Sequence, residues 1–200
     1  MTLPIVAVLA PGAMGAAVAK RLTTAGLTVL TDLTGRSDAT KARARDAGML
    51  DTPLPQIASR ASWILSILPP SEALSFARSF RDVYSPPTTS PHPVTFVDCN
   101  AVNPDTVKNI ATVFKSSPIA FLDAGIIGGP PRGEYDPIFY ASANPVDRAH
   151  LDQFESLSKY GLKISTLRGQ GADIGDASAL KMSYAVSLPL LSSTTFLIHR

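Results

Sequence analysis

One cysteine, three histidines and a charged fraction of only 17% leave this 200-residue chain poor in several kinds of chemistry. The lone thiol, Cys99, excludes an internal disulfide framework and fits a reducing compartment. Its place in an apolar run marks it as a core residue rather than a nucleophile. His92, His150 and His199 stand far apart, without the spacing that a zinc or iron site needs, so no metal is expected. No loop ends in Gly-Lys-Ser/Thr and no Gly-x-Ser-x-Gly elbow is present, which sets aside P-loop and α/β-hydrolase chemistry. Charge of one sign is lacking too: 18 basic residues face 16 acidic ones. The basic residues are scattered, so a nucleic-acid partner is not expected.

Long uninterrupted hydrophobic runs are also missing. The first 19 residues carry no charge, but a secretory signal places its basic residues first, and Lys20 comes only after the apolar stretch. Pro11-Gly12 breaks that stretch in the middle. The apolar segment Ser187–Arg200 contains Pro189 and a run of hydroxyl residues, and is too short and broken to span a bilayer. No membrane partner is expected, and the anticipated location is cytoplasmic.

What is present is alternation. Hydrophobic residues make up 45% of the chain, enough for an ordinary core. Strand-like runs at Ile5–Ala10, Leu27–Thr31, Trp63–Leu68, Val94–Cys99, Phe121–Ala124, Ile138–Ser142 and Leu162–Leu167 are separated by helical patterns. These patterns cover Ala13–Ala25, a segment capped by Ser37 or Asp38 and running to about Asp46, Ser71–Arg81, Asp105–Lys115 and about Pro145–Tyr160. Tyr84–Pro93, rich in proline, reads as a loop. Strands that are apolar nearly throughout, alternating with helices, predict an α/β fold with a Rossmann-type, doubly wound and mainly parallel sheet. Arg168–Asp173 looks like a linker, so the expected division is a dinucleotide-binding domain over 1–170 and the stub of an all-helical domain over 171–200.

Directly after the first strand stands Ala10-Pro11-Gly12-Ala13-Met14-Gly15, opening a helix. It follows the Gly-x-Gly-x-x-Gly spacing with alanine in first place. The second glycine lets the backbone approach a pyrophosphate and the third lets helix pack on strand. The helix N-terminus then offers free N–H groups to phosphate. A tight turn without ligand is the plain alternative.

Five stretches in order resemble the β-hydroxyacid dehydrogenase family, which includes 3-hydroxyisobutyrate dehydrogenase and the NADP-binding domain of 6-phosphogluconate dehydrogenase. Met14-Gly15 matches that family's Gly-x-Gly-x-Met-Gly loop, and Leu68-Pro69-Pro70 its segment under the nicotinamide ribose. Asp98-Cys99-Asn100-Ala101 with Pro104 resembles its Asp-x-Ser/Asn turn. Asp123–Gly129 resembles its substrate loop, and Gly175–Lys181 the helix that bears its catalytic lysine. The resemblance implies hydride transfer between a nicotinamide cofactor and a CH–OH carbon of a small β-hydroxyacid-like substrate. Lys181 would be the general acid or base, Gly128 and Gly129 would donate backbone N–H groups to the substrate carboxylate, and Asn100 would orient substrate and touch cofactor. The cofactor would lie on Ala10, Pro11, Gly12, Ala13, Met14, Gly15, Leu68 and Pro69.

Two residues bear on the choice of cofactor. Asp32, 17 residues beyond Gly15, could bind a ribose hydroxyl and select NAD. Gly35-Arg36-Ser37 resembles the family segment that clamps the 2′-phosphate of NADP, which the guanidinium fork suits. NADP is the expected cofactor, with NAD the alternative.

Departures from the family pattern are Ile127 where serine is common, and Tyr184 and Ala185 where asparagine is usual after the lysine. Both imply a substrate unlike 3-hydroxyisobutyrate. The family follows its lysine helix with a long helical domain that forms a homodimer. Here the helix is expected to end in a foreign tail from Ser187, as in a truncated chain whose activity is impaired. A non-catalytic dinucleotide-binding or sensing module is the competing reading.

Overall fold

The computed structural model describes residues 3–85 and 94–195, with side chains described as far as residue 185. His92, His199 and most of the expected proline-rich loop lie outside the described residues.

The chain opens with strand β1 (Val6–Leu9), helix α1 (Ala13–Thr24) and strand β2 (Val29–Thr31). Helix α2 (Asp38–Asp46), strand β3 (Leu50–Asp51), helix α3 (Leu54–Arg60) and strand β4 (Trp63–Ser66) follow. Next come α4 (Ala73–Val83), β5 (Thr95–Asp98), α5 (Pro104–Phe114), β6 (Ala120–Ile127) and β7 (Ile138–Ser142). Helix α6 (Arg148–Glu155), strand β8 (Lys163–Thr166) and helix α7 (Asp176–Thr195) complete the described fold.

One eight-stranded sheet runs in the order β3-β2-β1-β4-β5-β6-β7-β8. Every neighbouring pair is parallel except β6 with β7. Strand order reverses between β1 and β4, which opens a crevice at their C-terminal ends, the place where open α/β sheets bind ligands. The Rossmann-type, mainly parallel sheet expected from the alternation is thus the observed one.

Both sheet faces are covered, which explains the near-continuous apolar strands. Val8, Leu65, Val97 and Leu122 face α1, α2 and α6. Ala7, Ile64, Phe96 and Phe121 face α3, α4 and α5. Phe96 anchors the second layer, with its ring centre 4.7 Å from that of Phe114 and 5.6 Å from that of Phe80.

Four elements differ from expectation. Strand β3 and helix α3 lie where no apolar run marked them. Leu50 and Asp51 form a two-residue edge strand whose side chains are exposed, so hydrophobic patterning carries no signal there. The single helix expected over Pro145–Tyr160 is instead α6 flanked by 3₁₀ turns at Pro145–Asp147 and Ser156–Tyr160. Gly161, at φ +89°, ends the second turn. Helix α7 runs on through Pro189 to Thr195, where a break was expected. One proline removes a single backbone donor, and its helical neighbours keep theirs.

Candidate cofactor and substrate sites

The glycine loop joins β1 to α1 at the crevice. Gly12 is the N-cap of α1, with extended backbone, and a methyl group added there would meet nothing within 4 Å. That open space is what a ligand phosphate would occupy. Gly15 is the opposite case: its Cβ would run into the Ala10 carbonyl and sit 3.5 Å from Cγ1 of Val8. Helix α1 therefore lies directly on β1 because position 15 has no side chain. Ala10 stands in the place of the first glycine, and its φ is not positive. Met14 packs on the core, and Ala13 is exposed at the start of the helix. From α2, Arg43 Nε donates to the Pro11 carbonyl at 3.1 Å and Nη2 donates to Thr40 Oγ1 at 2.9 Å. This tie from helix to loop is not visible in any local motif.

Beyond β2, a cleft of about 170 Å³ is lined by Leu9, Asp32, Thr34, Arg36 and Leu68 among others. The Asp32 carboxylate is engaged by the fold: Oδ1 accepts from Thr34 N at 2.8 Å and Oδ2 from Leu54 N at 3.0 Å. Asp32 thereby caps the start of α3. The Arg36 side chain makes no hydrogen bond or ion pair among the described residues, so its guanidinium is available to an anion. Ser37 is the N-cap of α2; its Oγ accepts from Thr40 N at 3.4 Å and lies 3.1 Å from Thr40 Oγ1.

At the tips of β4 and β5, Asn100 is buried and joins the two strands. Its Oδ1 accepts from Leu68 N at 2.5 Å, while Nδ2 donates to Ser66 Oγ at 3.0 Å and to Asp98 Oδ1 at 2.5 Å. The amide that was expected to reach a ligand thus has both N–H groups and its oxygen engaged by the chain. Its effect is to hold Leu68 and Pro69 over the crevice, with Pro69 capping a short turn before α4. Asp98 Oδ1 also accepts from Asn100 N at 2.8 Å, whereas Oδ2 is buried without a partner. Burial pushes the Asp98 carboxyl up to about 7, and burial likewise raises the thiol of its neighbour Cys99.

The start of α7 is fastened to the sheet by Asp123. Its carboxylate accepts from Gly175 N and Ser178 N, each at 3.0 Å, from Ser178 Oγ at 2.7 Å and from Ser142 Oγ at 3.1 Å. Gly125 allows the close approach, because a Cβ there would lie 2.7 Å from the Ala177 carbonyl and 3.1 Å from Lys181 Cβ. Lys181 then points along β6, where its ammonium donates to the Ile126 carbonyl. Half-buried, it has its pKa lowered by desolvation, which favours the neutral amine.

Lys181, Gly128, Gly129, Ile127, Tyr135 and Tyr184 line one pocket of about 360 Å³. The fold brings together three of the expected residues, Lys181 and the two glycines; Asn100 does not line this pocket. Sequence reading missed Tyr135. It comes from the β6–β7 loop, which Arg21 of α1 pins by an ion pair to Asp136 at 2.7 Å. Among the described residues no three His, Cys, Asp or Glu side chains form a metal-binding group. No described helix is long and apolar enough to cross a membrane.

A parallel sheet with a switch-point crevice, a glycine loop opening α1 and an unpaired arginine beside it define a dinucleotide-binding domain. Residues 6–165 match the NAD binding domain of 6-phosphogluconate dehydrogenase, and the chain belongs to that family. No curated protein matches the chain. A conserved protein of unknown function, MTH1747, described as structurally similar to 3-hydroxyacid dehydrogenases, is 31% identical with a TM-score of 0.74. That match covers 89% of this chain and 62% of the other. The Mycobacterium tuberculosis 3-hydroxyisobutyrate dehydrogenase, solved with L-serine, is 16% identical over 94% of this chain and 60% of its own, with a TM-score of 0.75. The Myxococcus stipitatus imine reductase with NADP+ is 18% identical over 97% of this chain and 64% of its own, with a TM-score of 0.74. The chain therefore spans about three fifths of the length of these proteins.

Proposed function

We propose that this chain is the cofactor-binding part of an NADP-dependent dehydrogenase that acts on a small β-hydroxyacid, with Lys181 moving the proton. The observation that carries this reading is the meeting of Lys181 with Gly128 and Gly129 in one pocket, on the same sheet edge as the glycine loop. Dinucleotide binding is given by the family; the cofactor's identity, the substrate and the role of Lys181 are the proposal.

The residues present fit the cofactor. Gly12 leaves room for a pyrophosphate beside the first N–H groups of α1, and Arg36 with Ser37 supplies a cation and a hydroxyl for a 2′-phosphate. Asp32 lines the same cleft, with each carboxylate oxygen already accepting from one backbone N–H group, and Arg36 is the group there without a partner among the described residues. When bound, the nicotinamide supplies the hydride acceptor or donor. The chain's own task is the proton. Burial keeps Lys181 nearer neutrality, so in the oxidative direction its amine can accept the hydroxyl proton and in the reductive direction its ammonium can return it. Asn100 acts by holding Leu68 and Pro69 in place.

In this reading residues 1–170 form the dinucleotide-binding domain, and residues from 171 begin a helical portion that closes the substrate site and pairs two copies. The lone buried thiol of Cys99 agrees with a cytoplasmic setting. A non-catalytic binding module would need the glycine loop but not the Lys181 pocket.

The test is calorimetric titration of NADPH and NADH into the unmodified chain and Arg36→Ala. Loss of a charged hydrogen-bond partner costs about 1.5–3 kcal/mol, or roughly 10- to 150-fold in affinity. The variant should lose about that factor for NADPH and keep its NADH affinity. Equal losses for both would overturn the NADP assignment.

A further inference from the structure

Tyr135 stands outside every motif that points to the substrate pocket, yet its phenol is the side chain nearest the glycine pair. Its Oη accepts a hydrogen bond from Gly129 N at 3.2 Å. A Cβ on Gly128 would overlap the same oxygen, and Gly128 sits at φ +124°, so this position must stay glycine for the phenol to lie there. The ring is held from behind. Backbone hydrogen bonds close the loop, from Arg132 N to the Tyr135 carbonyl at 2.9 Å and from Tyr135 N to the Arg132 carbonyl at 3.0 Å. Arg21 of α1 pins the next residue, Asp136. Tyr135 is therefore positioned by the fold rather than by crowding, since half of its surface is open.

The consequence concerns the donors that a ligand would meet. Gly129 N–H, expected to bind a substrate carboxylate, is already spent on the phenol oxygen. Among the described residues the phenol hydrogen itself has no acceptor in the protein, and Tyr135 lines the pocket that holds Lys181. Accepting from an N–H also polarises the O–H outward and strengthens it as a donor.

We propose that Tyr135 is a specificity-determining residue of the Lys181 pocket, its phenolic O–H donating to the substrate carboxylate in place of the Gly129 amide. This rests on the proposed dehydrogenase reading. The pocket then selects short hydroxy-carboxylates: Tyr135 holds the acid group and leaves the hydroxyl to Lys181. The apolar Ile127 and the Tyr184 ring wall the remainder.

The test uses the full chain with saturating NADP+ and follows backbone amide NMR signals during titration with 3-hydroxypropanoate and, separately, 1,3-propanediol. Tyr135→Phe keeps the ring and removes only the hydroxyl, and its unperturbed spectrum elsewhere reports that the fold is intact. The expected result is binding of 3-hydroxypropanoate about tenfold or more weaker in Tyr135→Phe, with diol binding unchanged. Equal or tighter carboxylate binding by Tyr135→Phe, with the Gly129 amide signal moving on saturation, would overturn the assignment. So would failure of the unmodified chain to bind 3-hydroxypropanoate while NADPH still binds. Loss of NADPH binding by the unmodified chain would instead remove the dehydrogenase reading.

Discussion

Asp123 on β6 accepts two hydrogen bonds from Ser178 on α7, at 3.0 Å from its backbone N–H and 2.7 Å from its hydroxyl. With Gly175 N and Ser142 Oγ as further donors, this one buried carboxylate sets where α7, and so Lys181, lies on the sheet. Replacing Asp123 with alanine strands several buried donors at once, which should cost about 3 kcal/mol of folding stability. Urea unfolding measures this, and a shift under about 0.5 kcal/mol would mean that α7 is held by apolar packing alone. NADPH affinity should change less than threefold, because the glycine loop is at the other end of the crevice.

The two glycines of the loop should fail in different ways. Gly12→Val places its side chain in open space, so it should unfold near the unmodified chain's urea midpoint and bind neither NADPH nor NADH. Gly15→Ala drives a methyl group into the Ala10 carbonyl, so it should lose about 1–3 kcal/mol of stability as α1 is pushed off β1. Unfolding curves and calorimetry on both variants check the pair, and identical behaviour would refute the division of roles.

Asp98 gives a pH dependence of definite sign. Its carboxyl titrates near 7 in the folded chain, against about 3.9 for a free aspartate. Between those values the folded chain holds a proton that the unfolded chain has lost, so stability falls as pH rises from about 4 to 7. The slope is up to about 1.4 kcal/mol per pH unit, and the extra stability is gone above 7. Asp98→Asn keeps the acceptor for Asn100, cannot ionise, and should be more stable than the unmodified chain at pH 8. Burial raises Asp123 as well, so part of the slope should survive in the variant. Urea midpoints at pH 5, 6, 7 and 8 decide the matter.

Lys181→Ala should lower kcat on β-hydroxyacids by about 10²- to 10⁴-fold, with NADPH affinity kept. Steady-state rates on a panel of β-hydroxyacids, with NADPH fluorescence titration, separate the two effects. Full activity of the variant would return Lys181 to a structural role and favour a binding module.

Most of what depends on neighbours along the chain was legible in the sequence, although helix α3 and the passage of α7 through Pro189 were not. Apolar runs separated by helical periods imply a covered parallel sheet, because each strand must bury both faces. Gly12 and Gly15 marked a candidate phosphate loop in the sequence: at Gly15 helix meets strand with no room for a side chain, whereas at Gly12 the space stays open for a ligand. Ser37 announces the start of α2 by the same local logic, as a hydroxyl that caps free N–H groups. Strand β3 escaped because two exposed residues on a sheet edge have no hydrophobic pattern; only pairing with β2 makes them a strand. Asp32 and Asn100 read as ligand contacts by their positions, and only the fold shows that both are bonded to backbone N–H groups brought in from 22 and 32 residues away. Tyr135 and Arg43 had no signal, because each acquires its role from a partner on another element. The tertiary structure also decided the state of Asp98, since the burial that moves its proton equilibrium is a property of packing and not of the residues beside it.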